Sequence, residues 1–380
     1  MEQKKRIFQE GSLYFLIVIL FGILFFGLRP KDYNFLNCVT WITDQAGIHL
    51  RKYGIVYTNP IIEKKETDFL ESNNFSVEIA LKSAKPSING FNFIAVLHDG
   101  NDSNQLLLAQ WRSWIIFMNG DDYAHKRKTN RIAVDTALLP KGPLFLTITT
   151  SNNGTKLYCN GKFIQENKNL TLTMPNGRKS RLIVGNSVYG NHSWEGDVFG
   201  LVIYRATLNS KDIEFHFDKW SKEHNFSFAK NDKPLVLYCF DEKDGKLALD
   251  HAGGNHHLKI PHRMKILKRK ILEPDWEKFE YESNYIQDCF LNLVGFIPFG
   301  FSLSATLIRF RGKFNHHVVL KTVFFCFLVS IFIEIVQAWI PSRSSSMSDL
   351  ILNTCGALIG SIICGRVFAN RICEIHISSR

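Results

Sequence analysis

The chain has 380 residues, 45% of them hydrophobic, and a formal net charge of +11 at pH 7; the length suits two or three units, and the charge suits nucleic acid or an anionic membrane surface. The apolar residues gather at the two ends around a polar middle, which favours membrane lipid over nucleic acid. Eight cysteines show no Cys-x-x-Cys and no paired ligand spacing, so no metal is expected from them.

Lys4, Lys5 and Arg6 precede Gly11–Leu28, 18 uncharged residues, enough for a tilted crossing helix. A secretory leader has a shorter apolar part, about 7–15 residues, ending at small residues. This stretch ends at Arg29-Pro30-Lys31, so the expectation is an uncleaved anchor over residues 1–32.

Residues 33–262 read as all-β. Phe75–Leu81 alternates, Leu144–Thr150 is rich in strand formers, and Leu157–Ile164 is a hairpin with Asn160-Gly161 at its type I′ turn. Further short strands are expected at Arg181–Val184, Asp197–Tyr204 and Leu235–Phe240, the pattern of a sandwich or barrel. Trp111, Tyr123, Tyr189 and Trp194 are candidate glycan contacts, because flat ring faces match sugar C–H faces. Strict alternation would place Trp111 and Trp114 on opposite faces of one strand. Asp99, Asn101 and Asp102 offer the oxygens that Ca²⁺ favours, as do Asp121 and Asp122, and ordinary turns use the same residues. Glu195 and Asp197 come nearest to the paired carboxylates of glycoside hydrolysis, but Gly200 stands where a third acid would. No catalytic residue is assigned, and the chain is expected not to be an enzyme. Cys38, Cys159 and Cys239 allow one bridge at most and are expected as free thiols; the pairs His256-His257 and His316-His317 are expected in solvated loops.

A basic linker over residues 263–285 follows, within a run holding Lys259, Arg263, Lys265, Lys268, Arg269 and Lys270; it suits anionic lipid, cell-wall polymer or plain solvent. Residues 286–380 hold three more apolar spans, Phe290–Ile308, Thr322–Ile340 and Leu350 to about Phe368. Lys4–Arg6, the loop with Arg309, Arg311 and Lys313, and the tail with Arg366, Arg371 and Arg380 fall on one side of four spans, which predicts N-in, C-in with the middle of the chain outside. Glu334 and Gln337 share one helix face. Asp349, Asn353, Gly356 and Gly360 line a stripe of the next helix, with Gly356-x-x-x-Gly360 permitting close backbone approach. Together with Asn292 and Arg343 these form a polar cluster turned inward, either locking helix register or facing a ligand cavity, with an Arg343–Asp349 pair expected at its mouth.

Two resemblances attach to these residues. Asn292–Gly300 with Pro298 and Gly300, Glu334–Gln337, Arg343 and Asp349–Ala357 resemble the VanZ-like family of membrane proteins, with Ser346 at a position where that family often carries an acid. Cys159–Lys162, Leu182–Asn186 and Trp194–Leu208 resemble the closing strands of a laminin-G-like, concanavalin A-like jelly roll, a likeness extending over Trp41–Pro261. The expected fold is therefore multidomain: an extracytoplasmic jelly-roll sandwich plus an α-helical four-span transmembrane bundle. The resemblances imply a cell-envelope protein displaying a module for a glycan or cell-wall polymer, with a link to teicoplanin-type glycopeptide resistance. The alternative is a membrane enzyme or transporter acting on a lipid-linked envelope molecule at Glu334 and Asp349.

Overall fold

A computed structural model describes residues 2–30, 35–60, 73–123, 127–175, 180–274, 283–311, 313–340 and 343–378. The chain divides into two compact units, Asn34–Lys268 and the two ends Met1–Tyr33 with Arg269–Arg380.

The middle unit is built from β1 (Val39–Trp41), β2 (Ile48–Leu50), β3 (Val56–Thr58), β4 (Phe75–Ser83), β5 (Ile88–His98), β6 (Leu106–Arg112), β7 (Trp114–Asn119), β8 (Arg131–Asp135), β9 (Leu144–Ser151), β10 (Gly154–Cys159), β11 (Lys162–Asn167), β12 (Arg181–Val184), β13 (Gly196–Tyr204), β14 (Val236–Tyr238), β15 (Leu247–Ala248) and β16 (Leu258–Lys259). They form two antiparallel sheets, one ordered β1-β2-β13-β4-β9-β10-β11 with β14 also on β13, the other β15-β16-β3-β12-β5-β6-β7-β8. The expected hairpin is β10–β11, and Asn160 (φ 50°) and Gly161 (φ 74°) both take the positive φ that a type I′ turn needs.

Side-chain alternation assigns the faces. Phe75, Ile79 and Leu81 of β4 enter the core between the sheets with Leu146, Ile148, Leu201 and Leu182. The intervening Ala80, with Phe145, Val202 and Tyr204, faces the other way and is buried under Trp220, Phe226 and Leu237. Trp220 belongs to α2 (Ser210–Glu223), a helix packed on that outer face whose start is capped by Asn209 Oδ1 accepting from Lys211 N and Asp212 N. On the far sheet, Phe91, Phe93, Ile116 and Ile183 form a further cluster closed by Met264 and Leu267, so residues after 262 still run on the sandwich.

The other unit contains α1 (Glu2–Leu28), α3 (Ser283–Arg311), α4 (His316–Gln337) and α5 (Met347–Ser378). Three stretches are long and apolar enough to cross a membrane, Ile286–Phe310, His316–Gln337 and Met347–Phe368; the apolar part of α1, Ser12–Leu28, is shorter. At 1.5 Å per residue, 22 residues span about 33 Å, the thickness of a hydrocarbon core. Among the described residues, three of the four expected spans meet the length. α4 begins six residues before the expected Thr322 because Asn315 Oδ1 caps it by accepting from Val318 N, which places His316 and His317 in its first turn rather than in a loop.

Of the expected stripe on α5, Asn353, Gly356 and Gly360 are buried and Asp349, in the first turn, is half-buried. A Cβ on Gly300 would lie 2.2 Å from Ala357 O, one on Gly356 2.1 Å from Leu293 O, and one on Gly360 2.1 Å from Ile297 O, so α3 and α5 touch backbone to backbone. Pro298, expected in that packing, is instead exposed on α3. Ser304 of α3 bonds both Thr322 of α4 (2.8 Å) and Ser361 of α5 (2.7 Å), joining three helices through hydroxyls. Cys326 and Cys364 fill the interior, and Cys355 faces outward.

Candidate functional site

In the helical unit, Glu334 and Gln337 are buried on one face of α4, as their spacing predicts. Ser346, at the position that departs from the family pattern, is the N-cap of α5: its Oγ accepts from Asp349 N (3.3 Å) and its own N–H donates to Glu334 Oε2 (2.8 Å). A neighbouring helix thus supplies the carboxyl oxygen that the third residue of a capping box normally gives, at a helix start whose N–H groups have no intrahelical acceptor. Asn353 Nδ2 donates to Ser330 Oγ at 2.9 Å, while its Oδ1 is buried without a partner. Asn292 is half-buried and joins none of these bonds.

Arg343, expected to pair with Asp349, instead donates from Nε to Arg29 O (3.0 Å) and from Nη2 to Phe26 O (3.0 Å), and Gln337 Nε2 donates to Gly27 O (2.7 Å). These are carbonyls at the end of α1, which have no intrahelical donor. The last part of the basic run is ordered too: the Arg269 guanidinium lies 3.7 Å over the Trp339 ring, Lys270 pairs with Glu273 at 2.8 Å, and Met347 N donates to Glu273 O at 3.0 Å.

On the sandwich, most sequence-chosen aromatics are occupied by the fold. Trp194 is fully buried and donates Nε1 to Gln110 Oε1 at 2.8 Å, so it is core rather than a glycan contact. Trp111 and Trp114 are cross-strand partners beside the β6–β7 turn, where Arg112 takes φ 54°; direct partners share a face, which overturns the opposite-face expectation. Trp111 is half-buried with the Arg112 guanidinium 4.8 Å over it. Tyr123 packs on Phe91 (5.2 Å) and His192 (5.3 Å).

Tyr189 Oη donates to the Asp102 carboxylate at 2.7 Å, and the same carboxylate meets His98 Nε2 at 3.0 Å and Lys268 Nζ at 3.1 Å. Asp99 Oδ1 accepts from Asn101 N and Asn101 Oδ1 from Ser103 N, so the weak calcium candidates spend their oxygens on protein donors in ordinary turns.

Glu195 pairs with Lys85 at 2.8 Å and Asp197 with His49 at 2.5 Å. Gly200 has a packing reason: a Cβ there would sit 2.0 Å from Phe226 Cδ2, and Phe226 is fully buried. Gly200→Ala should therefore destabilise the sandwich by about 1–3 kcal/mol through overpacking, read as a lowered unfolding midpoint in thermal denaturation; an unchanged midpoint would refute the packing reason.

Beneath α2 lies a buried polar network that sequence reading missed. Glu78, wholly buried on β4, accepts from Tyr204 Oη (2.7 Å) and Thr147 Oγ1 (3.1 Å) and meets His216 Nδ1 at 3.0 Å, while His216 Nε2 lies 3.3 Å from Asp232. Burial alone would lower the His216 pKa, but the Glu78 hydrogen bond and charge, with Asp232 and Asp212, outweigh it and raise it. Burial, the Glu78 charge and its hydrogen bond push the Tyr204 phenol well up. Burial likewise pushes the free thiols Cys159 to about 11 and Cys239 to about 12, the latter with help from Asp241.

A pocket of about 220 Å³, to which α2 also contributes, is lined by Gln45, Pro143, Asn160, Phe199, Phe217, Trp220, Ser221 and His224. Drug-sized sites run to about 300–1,000 Å³, so this one suits a small polar ligand. Its lining joins three aromatic rings with amides, a hydroxyl and an imidazole, and Trp220 Nε1 is buried without a hydrogen-bond partner. None of these residues was chosen from sequence. The legible signal was the Asn209 cap followed by Ile213, His216 and Trp220 at helical spacing.

Residues 249–369 match the family model of VanZ/LLP1, and residues 61–214 match that of the Concanavalin A-like lectin/glucanases superfamily. Among solved structures the chain is similar to the botulinum neurotoxin serotype D binding domain (18% identity over 48% of this chain and 45% of that one, TM-score 0.38). It is also similar to the CBM40 of Ruminococcus gnavus IT-sialidase bound to α2,3-sialyllactose (12% identity over 45% of this chain and 96% of that one, TM-score 0.35). The chain thus covers under half of the neurotoxin domain's length. No curated protein matches it.

Proposed function

We propose, starting from a chain that joins a VanZ/LLP1 segment to a concanavalin A-like one, that this is a non-enzymatic membrane protein displaying a glycan- or cell-wall-polymer-binding sandwich outside the cytoplasm. In this reading α1 is a fourth span, both termini are cytoplasmic because the short basic segments stay inside, and the protein contributes to teicoplanin-type glycopeptide resistance. The observation that carries the binding role is the pocket at Trp220, where apolar ring faces stand beside amide, hydroxyl and imidazole groups; sugars present that mixture of C–H faces and hydroxyls. Against chemistry at the membrane acids, Glu334 Oε2 already accepts from the N-cap of α5.

The test is a glycan and cell-wall-polymer binding screen on the full-length protein in detergent, with Trp220→Ala and the exposed-rim changes Gln45→Ala and Ser221→Ala. A bound glycan should lose roughly 30-fold in affinity with Trp220→Ala, the scale of a hot-spot aromatic at about 2 kcal/mol, and less with the rim changes. Equal binding by all three variants would end the assignment of the pocket.

A further inference from the structure

We infer that the turn after β14 and the segment after β15 form a binding site for one zinc-type transition-metal ion, with Cys239 Sγ, the Asp241 carboxylate and His251 Nε2 as ligands. The three ligand atoms lie within 4.8 Å of one another. His251 Nε2 is 3.5 Å from Asp241 Oδ1 and 4.0 Å from Glu242 Oε1. A tetrahedral ion with bonds of about 2.0–2.3 Å sets its ligand atoms roughly 3.3–3.8 Å apart, so the side chains already stand close to the edges of such a polyhedron.

Two atoms at this place lack any other occupation. His251 Nε2 and Glu242 Oε2 are both buried and neither has a hydrogen-bond partner; a buried polar atom left so is costly, and natural structures seldom leave one without a reason. The ligands are also held by backbone. His251 N donates to Leu237 O at 2.8 Å, which fixes His251 beside β14, and Asp250 braces the turn by accepting from Leu237 N (3.1 Å) and Ala252 N (3.0 Å). Glu242 Oε1 accepts from Leu249 N, tying the two segments together.

The donor set selects the ion. Calcium and magnesium take oxygen ligands, whereas a thiolate, an imidazole and a carboxylate together suit zinc or its cobalt analogue. Three protein ligands leave the fourth position to water, with the partly exposed Asp241 marking the open side. Binding exchanges the Cys239 thiol proton for the ion and releases that proton to solvent; no electron transfer is involved. The cysteine spacing hid this site because its partners come from a carboxylate two residues on and a histidine twelve residues on, a pattern with no Cys-x-x-Cys.

The experiment is titration of the chelator-treated full-length protein in detergent with Co²⁺, followed by its visible d–d bands and the thiolate-to-cobalt charge-transfer absorption, then displacement by Zn²⁺. One equivalent should saturate both signals. Asp241→Asn and His251→Ala should each weaken Co²⁺ by about 100-fold or more, and Cys239→Ser should abolish the charge-transfer absorption while the surface change Asp244→Asn leaves it. Zinc should raise the thermal midpoint of the parent protein and not that of Asp241→Asn, whose side chain is exposed enough for the fold to survive. Absence of a charge-transfer signal at one equivalent, or a signal that persists at full strength in both Asp241→Asn and His251→Ala, overturns the proposal.

Discussion

Leucine at Gly356 and Gly360 together is expected to unlock the helical unit, lowering its stability by more than about 3 kcal/mol. Each glycine Cβ would fall 2.1 Å from a carbonyl oxygen of α3, Leu293 O in one case and Ile297 O in the other, and Gly300 meets Ala357 O in the same way from the opposite helix. The obstructing atoms are backbone, so no rotamer change relieves the clash and the helices must move apart. Ser304 and Ser361 then separate, and their 2.7 Å hydrogen bond goes with them. Titration with a denaturing detergent, followed by loss of helical circular dichroism, measures the effect. Gly295→Ala on the same α3 is the control, since its Cβ would meet nothing within 4 Å and the alanine should be neutral or gain up to about 1 kcal/mol in helix propensity. Equal midpoints for the leucine double variant and the parent would show that the glycines are not the contact that holds the two helices.

The second large effect belongs to His216. His216→Ala removes the imidazole that meets buried Glu78 at 3.0 Å and should cost about 3–5 kcal/mol, the range for stranding one partner of a buried pair. The pH dependence follows from the direction of the shift. The His216 pKa is raised in the folded protein, so the protonated form binds the native state better. Its stabilising contribution is fully present below about pH 6.5, the ordinary histidine value, and fades as pH rises through the higher folded value. Thermal midpoints of the parent should therefore fall as pH is raised through that window, and His216→Gln should remove this part of the slope. A parent and variant with parallel pH profiles would mean that His216 is not the titrating partner.

What the sequence made legible, and what it hid, divides along physical lines. Elements whose cause is local were readable: the strand at Phe75–Leu81, the Asn160-Gly161 turn and the existence of the three apolar helices α3 to α5 follow from their own residues, although α4 starts six residues before the expected Thr322. The inward stripe Asn353, Gly356 and Gly360 was readable because helical period alone fixes a shared face. Partnership was not. Which donor reaches Glu334 depends on a cap twelve residues away, and Arg343 turns to carbonyls more than three hundred residues earlier. Trp194 and Trp220 look alike as aromatics in a string, yet one is sealed in the sandwich core and the other walls a pocket, a difference set by sheet faces that only the assembled register defines. Ser346 looked like a lost acid, and its work is to start a helix.

The bonds from Gln337 and Arg343 to the end of α1 carry an implication for how the protein is made. They span 310 to 317 positions of chain, so a ribosome finishes the whole sandwich before the donors for those carbonyls exist. At about 5–20 residues per second, the first helix waits some 15 to 60 seconds with its last turn unserved. During that interval α3 arrives first and packs Phe296 and Phe299 against the apolar face of α1, while the carbonyls at its end still wait for α4 and the turn after it. The end of α1 is thus closed only once Gln337 and Arg343 have been made, and chains that stall before residue 337 should leave α1 open to degradation.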